Sequence, residues 1–451
     1  LKPDTPAFDD QSLAILADAV RSMSQAFGHL PPLTQALDTT AIAAVLQEAA
    51  SRMSDNAPYH HPLYIGQMLK PPHPVARLAY ALAMFLNPNN HALDGGRASS
   101  AMEKAAVAAL AGMFGWQDHL GHLTGGGTMA NFEALWVARE LRPGQTIVAS
   151  AQSHYTHSRL SAVLGVPFRQ IAVDTRGRID INDLERNLKN GDIGTVVVTL
   201  GTTAVGSVDP LAEILELRKR HDFRIHVDSA YGGYFRLARN LDPEARRHYD
   251  AMTQADSIVI DPHKHGLQPY GCGCVLFHDP SVGRFYKHDS PYTYFSSAEL
   301  HLGEISLECS RAGASAVALW STMQLLPLEI GGQFGQDLES CRQAALLLYK
   351  GFHEDNTFAQ LFPPELDIVV WAVRADSATE SSTRARLIYE AAERNDLHLA
   401  LATLPRAMLE PYNPVQEWDA DRITCLRACA MKPEHRDWMP EILTRLHSAA
   451  R

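Results

Sequence analysis

Five short apolar runs, each closed by a polar residue or a turn, constrain this chain more than any other feature. They are TIVAS (146–150), GTVVVT (194–199), FRIHVD (223–228), SIVID (257–261) and CGCVLFH (272–278). Runs this short, β-branched and bounded by turn chemistry, read as buried strands. Between them lie amphipathic segments such as NFEALWVARE, SHYTHSRLSAVLGV and PLAEILELRKRH. That alternation predicts βα units and an α/β fold built on a mostly parallel sheet. In such a sheet the polar groups at the carboxyl ends of the strands gather along one edge.

Two of those strand ends carry reactive groups. Asp228 closes FRIHVD, and Lys264 follows the next run in SIVIDPHKHG, 36 residues further on, flanked by His263 and His265. Acid and amine are therefore expected to meet at the sheet edge. A lysine there is either a solvated surface residue or an amine waiting for an aldehyde, and an aspartate there is either a helix cap or a functional carboxylate. Lysines are seldom buried without a partner or a task, which favours the reactive amine. Asp228 is followed by SAYGG, whose small residues leave room for a flat ring. A further turn, LTGGGTMAN, opens an amphipathic segment. Backbone N–H groups at a helix start bind phosphate and glycine lets the backbone approach closely, although a glycine run alone also suits a tight turn.

HVDSAYGG and DPHKHG, in this order and spacing, resemble the group II pyridoxal-phosphate-dependent amino-acid decarboxylases. That family includes the glutamate, aromatic-amino-acid and histidine decarboxylases and, more distantly, sphingosine-phosphate lyase. The resemblance implies that Lys264 forms a Schiff base with pyridoxal 5'-phosphate, that Asp228 pairs with the pyridine nitrogen, that Ala230 packs on the ring and that His263 touches the phosphate. TGGGTMAN resembles the family's phosphate loop, with Met129 where a glutamate is frequent, and makes Gly127 and Thr128 the implied phosphate contacts. SHYT resembles the segment whose histidine, here His154, lies on the ring face opposite Ala230; His157 is the plainer structural histidine beside it. By the same likeness the Thr203 hydroxyl sits near the phenolic oxygen or the pyridine edge. SPYTYFSS falls where the resembled family has a catalytic loop whose tyrosine can protonate the carbanion, which implies that role for Tyr292 or Tyr294. The resemblance also makes Tyr64 and Gln67 candidates for the substrate-pocket wall and matches Arg427 to an arginine near the substrate carboxylate or pocket.

The chemistry explains why these groups are needed together. An amine must be deprotonated to attack an aldehyde, and burial near cations depresses its pKa. A carboxylate that keeps the pyridine nitrogen protonated makes the ring an electron sink for the pair left when carbon dioxide departs. The bond that breaks is the one held perpendicular to the ring, so positioning of the substrate carboxylate selects the reaction. Decarboxylation of an L-amino acid to the amine is the expected activity. Carbon–carbon lyase, aminotransferase and aldehyde-forming chemistry on the same cofactor stay open, as does a binding protein that has lost catalysis. So does the substrate side chain, whether aromatic, acidic or basic.

The resemblance spans about residues 55 to 445 and implies an aspartate-aminotransferase-like fold, fold type I for this cofactor, and a homodimer with sites near the interface. Three parts are expected: an N-terminal helical and loop segment (1–75), a cofactor-binding large domain (76–330) and a small C-terminal α+β domain (331–451). SLAILADAVRSM and TAIAAVLQEAASRM space their apolar residues as helices that could lie across a partner subunit. Residues 56–74, rich in proline, aromatic residues and histidine, read as an ordered loop. Ser100 and Glu103 form a Ser-x-x-Glu capping box that predicts a helix start, and Asp209 is expected to cap the helix after GTVVVT.

A net charge of −11, from 40 basic and 51 acidic residues without a dense Lys/Arg cluster, argues against a nucleic-acid or membrane-surface role. No apolar run approaches the roughly 18 to 20 residues of a membrane span, and no secretory leader opens the sequence. The six cysteines lack a paired CxxC framework, so packed thiols in a reducing cytoplasm are expected, with no metal site.

Overall fold

The fold is organised by a seven-stranded sheet, five of whose strands fall on the five apolar runs of the sequence. The structure, a computed structural model, describes residues 10–31, 37–287 and 300–451. Four helices come first: α1 (Asp10–Gln25), α2 (Thr39–Met53), α3 (Pro74–Met84) and α4 (Leu93–Met113). Strands and helices then alternate as β1 (Leu120–Thr124), α5 (Gly127–Leu141), β2 (Thr146–Ser150), α6 (Thr156–Leu164), β3 (Phe168–Ile171), α7 (Ile181–Leu188) and β4 (Ile193–Thr199). The series continues with α8 (Leu211–Arg218), β5 (Arg224–Asp228), α9 (Pro243–Asp250), β6 (Ser257–Ile260) and β7 (Gly273–Phe277).

The strand order is β1-β7-β6-β5-β4-β2-β3. Five neighbouring strands, β3, β2, β4, β5 and β6, run parallel, and β7 is antiparallel to both β6 and β1. Strand β1 therefore points the same way as the parallel five, and the carboxyl ends of β1, β2, β4, β5 and β6 open on one edge. Strands β2, β4, β6 and β7 are buried throughout, which is why they read as continuous apolar runs instead of alternating ones.

Helices α10 (Gly313–Leu325) and α11 (Gln333–Lys350) lead to a second sheet. The rest of the chain is β8 (Phe358–Gln360), β9 (Ile368–Val373), β10 (Ala375–Ser377), α12 (Ala378–Arg394), β11 (Ala400–Pro405), α13 (Arg406–Leu409), β12 (Val415–Glu417), β13 (Arg422–Cys429) and α14 (His435–Ala449). The second sheet is antiparallel, in the order β11-β13-β9-β8. Its period of two divides it between two cores. Ile368, Val370, Ile423 and Cys425 join the large core shared with the first sheet, whereas Val369, Trp371, Val373, Leu426 and Ala428 pack with Leu348, Ile388 and Ile442 from α11, α12 and α14. The same parity turns Arg427 toward the first sheet.

Two expected helix caps are corrected by the structure. Helix α4 begins at Leu93 and kinks at Gly96, so Ser100 lies inside it, buried and without a hydrogen-bond partner among the described residues. Glu103 reaches away from the helix start instead. Its Oε1 accepts from Arg311 Nη1 at 2.8 Å and from the Leu123 N–H at 3.0 Å, and its Oε2 accepts from Asn90 Nδ2 at 2.6 Å. Removing one partner of a buried ion pair strands the other, so Glu103→Ala is expected to destabilise the fold by about 3–5 kcal/mol. A urea unfolding free energy lowered by less than about 1 kcal/mol at an unchanged m-value would refute this. Asp209 likewise caps nothing: α8 follows Pro210 without a side-chain cap, and the Asp209 carboxyl accepts from the Ile179 N–H at 2.7 Å and the Thr199 N–H at 2.8 Å. Burial pushes its pKa up to about 7.

Helices α1 and α2 bury none of their residues, and Leu13, Ile15, Val45 and Leu46 are each more than half exposed. Among the described residues no helix is long and apolar enough to cross a membrane and no cluster of side chains could hold a metal ion.

Candidate active site

A cavity of about 730 Å³ opens at the carboxyl edge of the first sheet, within the size range of cofactor sites. Each strand end contributes to its wall: Gly125–Thr128 after β1, His154 after β2, Thr199, Gly201 and Thr203 at and after β4, Asp228 and Ala230 at β5, and Asp261, His263 and Lys264 after β6. The sequence thus brought together Asp228, Lys264, His154, Ala230, His263, Thr203, Gly127 and Thr128, from segments more than a hundred residues apart.

Asp228 ends β5 and is 4 % exposed. Both carboxylate oxygens are engaged, Oδ2 with His157 Nε2 at 2.8 Å and Oδ1 with the Ala230 N–H at 3.1 Å. Burial works to raise its pKa, but the hydrogen bond from His157, with the nearby Lys264 ammonium, outweighs it and holds the carboxyl well below the usual range. His157 is thus a partner of the site's acid, a role that the sequence reading did not give it. The signal was present: His157 lies only three residues beyond His154, in the first turn of α6. His154 Nδ1 accepts from the Thr156 N–H at 3.3 Å and faces the Thr156 hydroxyl at 2.7 Å. Burial lowers the His154 pKa, and nearby Asp228 opposes that shift without reversing it.

The glycine turn is built for close approach. Gly126 sits at φ +149°, where side chains are strained, and its α-carbon faces the His263 ring. A Cβ on Gly127 would lie 2.6 Å from Asp261 Oδ2. Asn131 fastens this turn from behind: its Nδ2 donates to the Gly127 carbonyl at 2.9 Å and its Oδ1 accepts from His226 Nε2 at 2.8 Å. Burial pushes the pKa of His226 down to about 3, so it stays neutral in that role. Glu308, after the segment 288–299, accepts the Gly125 N–H at 3.0 Å.

Lys264 Nζ lies 3.1 Å from Asp261 Oδ2, and His263 Nε2 lies 3.5 Å from the same oxygen. Asp261 Oδ1 and Thr199 Oγ1 are buried at the cavity without a hydrogen-bond partner among the described residues. Sequence reasoning passed over Asp261, although an acid three residues before the amine was in plain view. Behind the cavity, Asp367 of the second sheet's approach accepts from Tyr231 Oη at 2.7 Å and pairs with His265 Nε2 at 3.1 Å, flanking both Ala230 and Lys264. An aldehyde-bearing ring with a phosphate fits these groups. It would find an amine, a fixed carboxylate, unused buried polar atoms and a glycine-lined helix start.

Tyr64, Gln67 and Arg427 are not among the residues lining this cavity. Arg427 donates to the carbonyls of Thr203 at 2.7 Å, Ala204 at 3.0 Å and Gly66 at 3.4 Å, and to Gln67 Oε1 at 3.4 Å. Tyr64 is buried, its ring 4.9 Å from that of Tyr59 and its carbonyl accepting from Lys432 Nζ at 2.6 Å. Tyr292 and Tyr294 lie outside the described residues.

Comparison with known proteins places this geometry in context. The family model described as the pyridoxal-dependent decarboxylase conserved domain matches residues 136–374. The chain is 28 % identical over 446 aligned residues to the L-tyrosine decarboxylase of Enterococcus faecium, covering 74 % of this chain and 73 % of that one. It is 28 % identical over 263 residues to a probable L-tyrosine/L-aspartate decarboxylase of Methanothermobacter thermautotrophicus, covering 58 % of this chain and 70 % of that one. Among solved structures, that of mouse CSAD superposes with a TM-score of 0.79 at 20 % identity, over 96 % of this chain and 92 % of the other.

Proposed function

The chain belongs to the pyridoxal-dependent decarboxylase family, and from that premise we propose how its residues divide the work and which substrate they take. The reaction is pyridoxal-phosphate-dependent decarboxylation of an amino acid. When bound, the cofactor supplies an aldehyde for amines and a protonated ring that accepts the electron pair left by carbon dioxide. The observation that carries the assignment of roles is the convergence of Lys264 and Asp228 on one cavity floored by the glycine turn.

Lys264 Nζ is the amine that holds the aldehyde carbon, and Asp261 Oδ2 is its counter-ion whenever it is free and protonated. Asp228 keeps a proton at the ring nitrogen. Ala230 and His154 take the two faces of the ring, and the neutral His154 stacks without adding charge. The N–H groups at the start of α5, with Gly127, Thr128 and His263, hold the phosphate. Thr203 lies at the ring's edge. Tyr292 or Tyr294 is the proton donor to the reacting carbon.

L-Tyrosine is the proposed substrate. Support comes from the names of the relatives and from the cavity itself, whose lining includes Phe132, Leu160 and Met129 but no arginine among the described residues. An acidic side chain would need a buried cation, and Arg427 spends its donors on backbone carbonyls. Holoenzyme incubated with the common L-amino acids should release carbon dioxide and the amine of tyrosine, followed by mass spectrometry. Release from L-aspartate and not L-tyrosine would refute the substrate; an aldehyde or keto acid in place of the amine would refute the outcome of the reaction.

The working form is proposed to be a cytoplasmic homodimer, its exposed apolar faces on α1 and α2 covered by the partner. A mass in solution of 49.6 kDa, that of one chain, or recovery outside the cytoplasm would contradict this. Residues 1–75, 76–330 and 331–451 are the proposed structural parts, and proteolytic fragments that ignore those borders would argue against the division.

A further inference from the structure

We propose that His157 is the positioning residue for Asp228, fixing the orientation of its carboxylate so that the cofactor's ring nitrogen stays protonated. The inference rests on the role given to Asp228 above and adds the residue through which that role is set.

The geometry is specific. His157 lies in the first turn of α6, wholly buried, and its Nε2 meets Asp228 Oδ2 at 2.8 Å. Nε2 must carry a proton to donate to a carboxylate. The other oxygen is held by the Ala230 N–H at 3.1 Å, from the residue that packs on the ring. Two donors from different elements therefore fix the carboxylate plane, one from the strand's own turn and one from a helix across the cavity floor. Free rotation of Asp228 would lose both.

His157 is poorly explained by packing. Its Nδ1 is buried without a hydrogen-bond partner among the described residues. A buried polar atom left unpaired is unfavourable, and an apolar residue of similar volume would avoid that penalty. The imidazole earns its place only through Nε2. Its contribution is also electrostatic, because its hydrogen bond is the largest influence opposing the effect of burial on Asp228. Neighbouring His226 cannot substitute, since its nitrogens are committed to Asn131 and Ser257, each at 2.8 Å.

Substitutions that differ in reach separate positioning from bulk. A glutamine amide extends to about where Nε2 stands, whereas an asparagine amide stops near Nδ1. His157→Gln should retain the contact; His157→Asn and His157→Phe should lose it. We expect kcat to fall by about 30-fold in the Asn and Phe variants, within the roughly 10–100-fold range of residues that orient a functional group, with KM for substrate little changed and most of the rate restored in the Gln variant. The second readout is the nitrogen-15 resonance of ring-labelled pyridoxal phosphate bound to each variant. It should report a protonated ring nitrogen in the native and Gln proteins and a shift toward the unprotonated form in the other two.

Equal behaviour of the Asn and Gln variants, in rate and resonance, would overturn the proposal even if the Phe variant does not fold. So would a native-like resonance in all three. Asp228→Asn is measured alongside: an altered resonance there with none in the His157 variants sinks only this inference, while no change in any of them sinks the reading of Asp228 itself.

Discussion

Lys264→Ala is expected to abolish decarboxylation, lowering kcat on the order of 10⁴-fold or more, the scale on which loss of a covalent-catalysis group is felt. The amine stands at the cavity 3.1 Å from Asp261 Oδ2, and among the described residues no other lysine lines the site. The variant should keep its fold, because a side chain at a cavity wall can be shortened without opening a void in a packed core. Pyridoxal phosphate added to it should still be held through its phosphate but give no lysine-dependent visible band, and borohydride should leave no label on residue 264. A variant that retained both the band and measurable turnover would show that another amine serves.

Asp228→Asn should be the second most damaging change, with kcat down by about 10²–10³-fold, the loss seen when one preorganised electrostatic partner is removed. The amide matches the carboxylate in shape, but it turns an NH2 group toward one of the two donors, His157 Nε2 or the Ala230 N–H, and in the proposed role it could not keep the ring nitrogen charged. The pH dependence follows from the direction of the Asp228 shift. Its pKa in the folded protein is depressed below the unfolded carboxylate value of about 3.9. The stabilisation this brings is therefore complete above that value and is lost only as the pH falls through the lowered one. Asp228 is ionised over the whole working range, so the acid limb of the activity profile belongs to another group. An acid limb that moved in Asp228→Asn while kcat stayed within threefold of native would contradict both statements.

Much of this was legible in the chain because the informative features are local. The apolar runs gave β2, β4, β5, β6 and β7, and the residues that follow the parallel four, β2, β4, β5 and β6, gave much of the cavity wall, since strand ends of one direction share an edge. The second sheet was harder to read. The short strand β8, three residues long, carries too little periodicity to declare itself, and β11 mixes buried and exposed positions. The Ser100 box failed for a different reason. A Ser-x-x-Glu pattern records only that a reciprocal cap is possible, and here a buried arginine more than two hundred residues away outcompeted the helix start for Glu103. His157 and Asp261 were passed over because a partner for a functional group is defined by distance in the folded chain, which spacing hints at only when both lie on one helix or turn.

Arg427 gives the assembly of the two sheets a mechanical character. Its guanidinium clasps the carbonyls of Thr203 and Ala204, in the turn that walls the cavity, while its own strand is sealed into the C-terminal sheet. A rocking motion that lifted one sheet off the other would break these charge-assisted hydrogen bonds, each worth about 1.5–3 kcal/mol. Arg427 thus ties the second sheet to the turn that walls the cavity, so a shift of that sheet is felt directly at the cavity wall.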